Sequence, residues 1–302
     1  MSNPIPSATP PHQDKRPRAP IQATKSPMRR AARRFIRQPA GLVGSALLGL
    51  YILAAIFAPL ISPKDPLATN PSIALHPLGG GYLLGSDPLG RDVLSRIIYG
   101  TRPALTVGIS AVLVGLVLGC LSGMLAGYLK GRVGGIIMRF WDGVFAVPAI
   151  LLGLTLAAAF GSSVAIASIA VGLASAPGLA RVAYAAVLAE LERGYIEAAH
   201  AQGLRPARIF LRHLLPNALS PMVVQLALTF SLAVLLESAF SFLGIGLQPP
   251  APSWGAMLAD SRSYLSTGWW YGVFPGLAIT GLVLALNFCA DAARDALDPR
   301  TP

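Results

Sequence analysis

From Gly143 to Ala180 the chain runs for 38 residues without a charged side chain, and Pro103 to Leu129 is likewise uncharged. A bilayer core about 30 Å thick is crossed by about 20 residues of helix at 1.5 Å each, so blocks of this length read as membrane spans. The whole chain agrees with them. Of 302 residues, 54% are hydrophobic and 12% charged, where a soluble domain carries roughly 25% charge. The pattern predicts an all-α polytopic membrane protein with about six transmembrane helices.

The spans are expected at Gly41–Ile61, Pro103–Leu129, Ile136–Ala159, Ala165–Leu188, Ala218–Leu236 and Trp269–Ala290. The 38-residue block is too long for one span, and Phe160-Gly-Ser-Ser163 supplies the turn between two. Pro148 and Pro177 are expected to kink their helices. Residues 90–102 mix charges with apolar positions at helical spacing and are expected to lie along the membrane surface. Pro249 to Thr267 reads as a loop, and Trp269, Trp270 and Tyr271 as an interfacial belt. Three regions result: a basic, proline-rich, disordered tail at 1–38, a first helix and external loop at 39–102, and a five-helix core at 103–298.

Charge sets the expected orientation. The net charge is +11, and nine of the 24 basic residues lie in the first 37 positions. Such clustering suits a cytoplasmic tail. Nucleic-acid binding is set aside, because no aromatic residues interleave with the charge. The first apolar run begins too far in for a secretory signal. Six spans then place both termini, 130–139 and 190–217 in the cytoplasm. Against this stand Arg91, Arg96 and Arg102, which fall outside and are partly offset by Asp87 and Asp92. Cys120 and Cys289 lie in apolar blocks and the four histidines are scattered, so neither a disulfide framework nor a metal site is expected.

Gly115, Gly119, Gly123 and Gly127 recur every four residues and line one helix face, a seam for close helix packing. Glu237 stands at the outer end of the fifth expected span, where it is a pathway candidate or reaches the interface. Asp142 has Arg139 one turn away. The 190–217 loop carries the most information. Tyr195 to Gly203 reads as a helix ended by glycine, and Arg205 to Leu215 as a second helix with Pro206 in its first turn and Pro216 at its end. Arg205, Arg208 and Arg212 make that second arm basic.

Within this loop Glu197-Ala198-Ala199, Gly203 and Leu215-Pro216 match the EAA signature of binding-protein-dependent ABC importer permeases. The segments Leu84–Arg96, Arg212–Asn217, Ser241–Leu258 and Arg294–Arg300 resemble the C-type permease subunit of dipeptide, oligopeptide and nickel importers. The resemblance implies the type I importer permease fold, in the cell inner membrane. It also implies a homologous second permease, two ATPase subunits and an extracytoplasmic binding protein. Glu197, Ala198, Ala199, Gly203 and the basic arm would form the ATPase-coupling loop, with Ala198 and Ala199 as its packed face. The chain has no Gly-x4-Gly-Lys-Ser/Thr phosphate loop, so ATP and Mg²⁺ are expected on partner subunits, with no cofactor and no catalytic residue here. A secondary transporter, or another polytopic protein without ATPase partners, is the alternative. Central charges for ion coupling are too few to favour it.

Overall fold

The computed structural model describes Phe35 and residues 38–297; the rest of the expected tail lies outside them. The helices are α1 (Pro39–Ile56), α2 (Val93–Leu129), α3 (Gly131–Phe145), α4 (Ala149–Phe160), α5 (Val164–Leu191), α6 (Gly194–Ala201), α7 (Pro206–Ile209), α8 (Leu215–Phe242), α9 (Trp254–Ser261) and α10 (Trp270–Leu297). Five are long and apolar enough to cross a membrane, or six if α3 and α4, bent by 84°, count as one broken span.

Several features differ from expectation. The first span ends at Ile56, and Ala58–Ile61 is a separate turn. Residues 93–102 do not lie on the surface but open α2, so the expected division at 102/103 falls inside a helix. Asp92 starts α2 by accepting from the backbone N–H of Ser95 at 2.8 Å, an N-cap. The stretch read as a loop contains α9, because Trp254 buries its indole against α2 and donates Nε1–H to Ile97 O at 2.9 Å. The aromatic belt shrinks to Trp269, since Trp270 and Tyr271 are buried.

Pro148 ends one helix and starts another, whereas Pro103, Pro177, Pro221 and Pro275 sit inside continuous ones. A proline biases the residue before it away from helical geometry. At the break that residue is Val147, β-branched and stiff; the other four follow Arg102, Ala176, Ser220 and Phe274.

The glycine seam of α2 packs on α5. A Cβ at Gly119 would strike the carbonyl of Ala176, one at Gly123 that of Ala180, one at Gly115 the side chain of Leu179, and one at Gly127 that of Val187. Small residues let the two backbones touch. At one end of the bundle, hereafter the knot end, Asp87 is fully buried. It accepts from Arg91 Nε at 2.6 Å and from the backbone N–H groups of Leu89 and Arg91, and Arg96 Nε lies 3.6 Å away. Arg102 instead donates to the carbonyls of Ala55 and Ile56, which end α1. The outer arginines that counted against the expected orientation are thus held by partners within the chain.

Candidate coupling site

At the opposite end, α6 and α7 form a helical hairpin. Gly203 has φ +71°, a left-handed geometry that costs other residues a Cβ clash. Its N–H donates to His200 O at 2.9 Å and the Leu204 N–H to Ala199 O at 3.3 Å. This pair of bonds is a Schellman motif, which satisfies the last carbonyls of α6. Arg205 then leads into Pro206 at the start of α7.

The second arm does not stop at Pro216 as expected. A π-turn over Phe210–Leu214 joins α7 directly to α8. The wider turn gives the proline ring room where an α-turn would press it on a carbonyl. The hairpin is therefore a rigid prolongation of a membrane helix rather than an independent loop.

Its underside is apolar and belongs to the bundle. Ile196, Ala199, Ile209 and Leu214 are buried in one cluster with Met124 of α2, Val187 of α5 and Met222 of α8. Tyr128 at the end of α2 stacks edge-on against Phe210 at 5.1 Å and donates to Pro206 O at 3.2 Å. A polar tie, which the sequence did not single out, closes the base. The Tyr195 hydroxyl donates to Glu190 Oε2 at 2.6 Å and accepts from Asn217 Nδ2 at 3.1 Å. Burial, helped by the Glu190 hydrogen bond, pushes the Tyr195 phenol above its usual range, so it keeps its donor proton at neutral pH. Tyr195 opens the EAA segment and Asn217 closes the Leu-Pro-Asn stretch, so both stood at the edges of readable motifs.

The upper surface is open. Glu197, Ala198, Gly203, Arg205, Arg208, Arg212 and Pro216 are exposed, and Leu215 is half-buried. Leu211, apolar yet 61% exposed, stands between Arg208 and Arg212. Ala198 and Ala199 do not share a face as expected. Successive helical residues point about 100° apart, and Ala199 is the one turned into the bundle.

Glu237 does not end its helix, because α8 continues through Phe242. It is 2% exposed, and its carboxylate accepts from Ser241 Oγ at 2.8 Å and Ser238 Oγ at 3.4 Å. Within this chain the group is buried and hydrogen-bonded. Asp142 pairs with Arg181 at 2.7 Å instead of Arg139. Among the described residues no three His, Cys, Asp or Glu converge on a metal position.

A bundle of five or six apolar spans with a stiff hairpin at one end defines a polytopic membrane protein. Residues 115–301 match the profile of the binding-protein-dependent transport system inner membrane component, and residues 26–77 that of the N-terminal TM domain of oligopeptide transport permease C. The chain is 41% identical over 281 residues to the di/tripeptide transport system permease protein DppC of Pseudomonas aeruginosa, covering 91% of this chain and 93% of that protein. It is 42% identical over 288 residues to the dipeptide transport system permease protein DppC of Escherichia coli K12, covering 93% and 95%. Among solved structures, the inward-facing MetNI methionine ABC transporter matches with a TM-score of 0.59 at 20% identity, over 68% of this chain and 97% of that one. That likeness shows the type I importer fold. The chain belongs to the binding-protein-dependent transport system inner membrane component family: it is a permease subunit of an ABC importer, a transport component rather than an enzyme. Permeases of this family work with ATPase and binding-protein partners.

Proposed function

We propose that this chain pairs with one homologous permease to pass di- and oligopeptides, delivered by an extracytoplasmic binding protein at the knot end. Two ATPase subunits, which hold ATP and Mg²⁺, dock on the hairpin end. Both termini then lie in the cytoplasm, and the membrane is the cell inner membrane. The peptide class is supported by identity above 40% to dipeptide permeases over more than nine-tenths of the chain. Coupling is carried by one observation: the hairpin is continuous with α8 through the π-turn and shares a core with α2 and α5. A push on its exposed surface, at Glu197, Ala198 and the basic arm, moves three spans together.

The test is uptake of a labelled dipeptide by cells carrying only this transporter, together with ATP hydrolysis by the purified complex. Wild type should import, and Glu197→Lys, which reverses an exposed charge, should lower import without lowering membrane abundance. Import of methionine but no peptide by wild type refutes the substrate class. Unchanged import by Glu197→Lys, with ATPase subunits co-purifying at normal yield, refutes the coupling surface.

A further inference from the structure

α3 and α4 form one apolar run broken near its middle, and the break is exposed. Phe145, Ala146, Val147 and Pro148 all face outward. Among the described residues, the carbonyls of Phe145, Ala146 and Val147 accept no backbone hydrogen bond. Such carbonyls are not tolerated against lipid tails; at membrane depth they must meet protein or water.

The depth follows from packing. Val144 and Leu173 lie against the cluster of Trp141, Ala176 and Ala180. Ala176 touches Gly119, close to the middle of the uncharged stretch 103–129 of α2. Ala180 touches Gly123, seven positions before Lys130, or about 10 Å at 1.5 Å per residue. Arg181 follows Ala180. The Asp142–Arg181 pair therefore sits about 10 Å within the apolar zone, with side chains 55% and 45% exposed and the Arg181 guanidinium 4.4 Å from the centre of the Phe145 ring. Charges at such depth face an aqueous cavity or the bundle interior.

The helix itself sorts its faces. At about 100° per residue, Arg132, Gly135, Arg139, Asp142 and Ala146 fall in one sector about 80° wide. Gly134 and Trp141 fall on the opposite side and pack on Ala126 and Ser122. Val133, Ile136 and Phe140, all exposed, occupy the sector next to the charged one. A shallow pocket of about 440 Å³ opens over Arg132, Gly135 and Arg139. One face is thus fit for lipid, and the adjoining one climbs as a charged stripe from the hairpin end to the break.

We propose that this stripe, with Arg181 and the open carbonyls of the break, lines the aqueous translocation path, and that Asp142 and Arg181 engage a solute carrying both charge signs. An exposed ion pair is weakly held, so a solute ammonium can replace Arg181 on Asp142 while its carboxylate takes the guanidinium. The solute half of the proposal rests on the peptide reading above; the aqueous half does not.

The experiment uses the assembled transporter in membranes, with Cys120 and Cys289 replaced by alanine. A charged, membrane-impermeant thiol reagent supplied on both sides should modify Ala146→Cys and Val147→Cys at least tenfold faster than Leu50→Cys, a position on α1 that is 62% exposed. Equal rates overturn the aqueous face, since they mean that lipid or the second permease covers it. Asp142→Asn and Arg181→Gln should each cut uptake of a zwitterionic dipeptide at least tenfold at unchanged membrane level. Wild-type uptake by both overturns the pair's role. Should the unmodified transporter import no peptide, the substrate reading falls, while the labelling rates still decide whether the face is aqueous.

Discussion

Replacing Ile209 with alanine tests whether the hairpin moves as one piece with the spans. Ile209 is fully buried among Ile196, Ala199, Leu214 and Met222. Truncating a buried isoleucine costs about 2–5 kcal/mol, the larger values where the site cannot collapse. The α2 and α5 backbones are already in contact along the glycine seam, so little collapse is available. Because the cluster is what holds α6 and α7 down, the loss falls on their undocking. At 1.4 kcal/mol per factor of ten, even about 2 kcal/mol raises the undocked population roughly 30-fold. Hydrogen exchange on the assembled transporter reads this directly. The amides of Gly203 and Leu204, bonded to His200 O and Ala199 O, should exchange about 30-fold faster or more, while amides around Leu282 in α10 should not change. Leu211→Ala is the contrast. Its side chain points outward, so the exchange of Gly203 and Leu204 should stay within about 0.5 kcal/mol of wild type, the usual range for surface changes. Exchange in Ile209→Ala within threefold of wild type would show that the cluster does not hold the hairpin, and the claim that hairpin and spans move together would fail.

Gly119→Val should overpack the seam against Ala176 by about 1–3 kcal/mol and lower the thermal midpoint of the purified complex, whereas Gly49→Ala, with nothing within 4 Å of its new Cβ, should not lower it. Asp87→Asn removes the only acidic partner in ion-pair range of Arg91 and Arg96 among the described residues; breaking a buried pair costs about 3–5 kcal/mol, so the variant should be lost from membranes while Asp65→Asn, on an exposed residue, is retained. Gly203→Val places a β-branched residue at φ +71° at roughly 1–2 kcal/mol, so dipeptide uptake should fall with membrane abundance unchanged. For orientation, an impermeant thiol reagent applied from outside should modify Ser266→Cys and spare Ala207→Cys, both exposed positions; Ser253 is fully buried and is a poor reporter.

The spans were legible because hydropathy is a local property: an uncharged run is visible whatever it packs against. The Gly203 turn was legible for the same reason, since the left-handed residue that ends a helix is chosen within one turn. What tertiary contact decides was not. Asp142 had Arg139 at helical spacing, yet its partner is Arg181, 39 positions away on the far side of a turn. Proline and charge made residues 249–267 look like a loop, and only the place of Trp254 against Ile97 explains the buried helix there. Pro148 and Pro177 looked alike as prolines in apolar runs. Val147, a β-branched residue before the proline, is the local difference.

Arginine placement joins the two ends of the molecule. Lys130, Arg132, Arg139, Arg193, Arg205, Arg208, Arg212 and Arg294 are exposed toward the hairpin end, and the first 37 residues add nine basic side chains. The knot end has Lys64, Arg91, Arg96, Arg102 and Arg262. The bias in basic residues that orients a membrane protein therefore favours a cytoplasmic hairpin even with every knot-end arginine counted. The knot-end group answers a different need. Arg91 and Arg96 share the buried Asp87, and Arg102 caps the carbonyls where α1 ends. An arginine fork can satisfy several acceptors at once where a lysine offers a point charge, which suits closing a loop over the start of α2. At the hairpin end most of the basic side chains are exposed, with Arg193 paired to Glu190 at 3.0 Å, whereas at the knot end Arg91, Arg96 and Arg102 are held by partners within the chain.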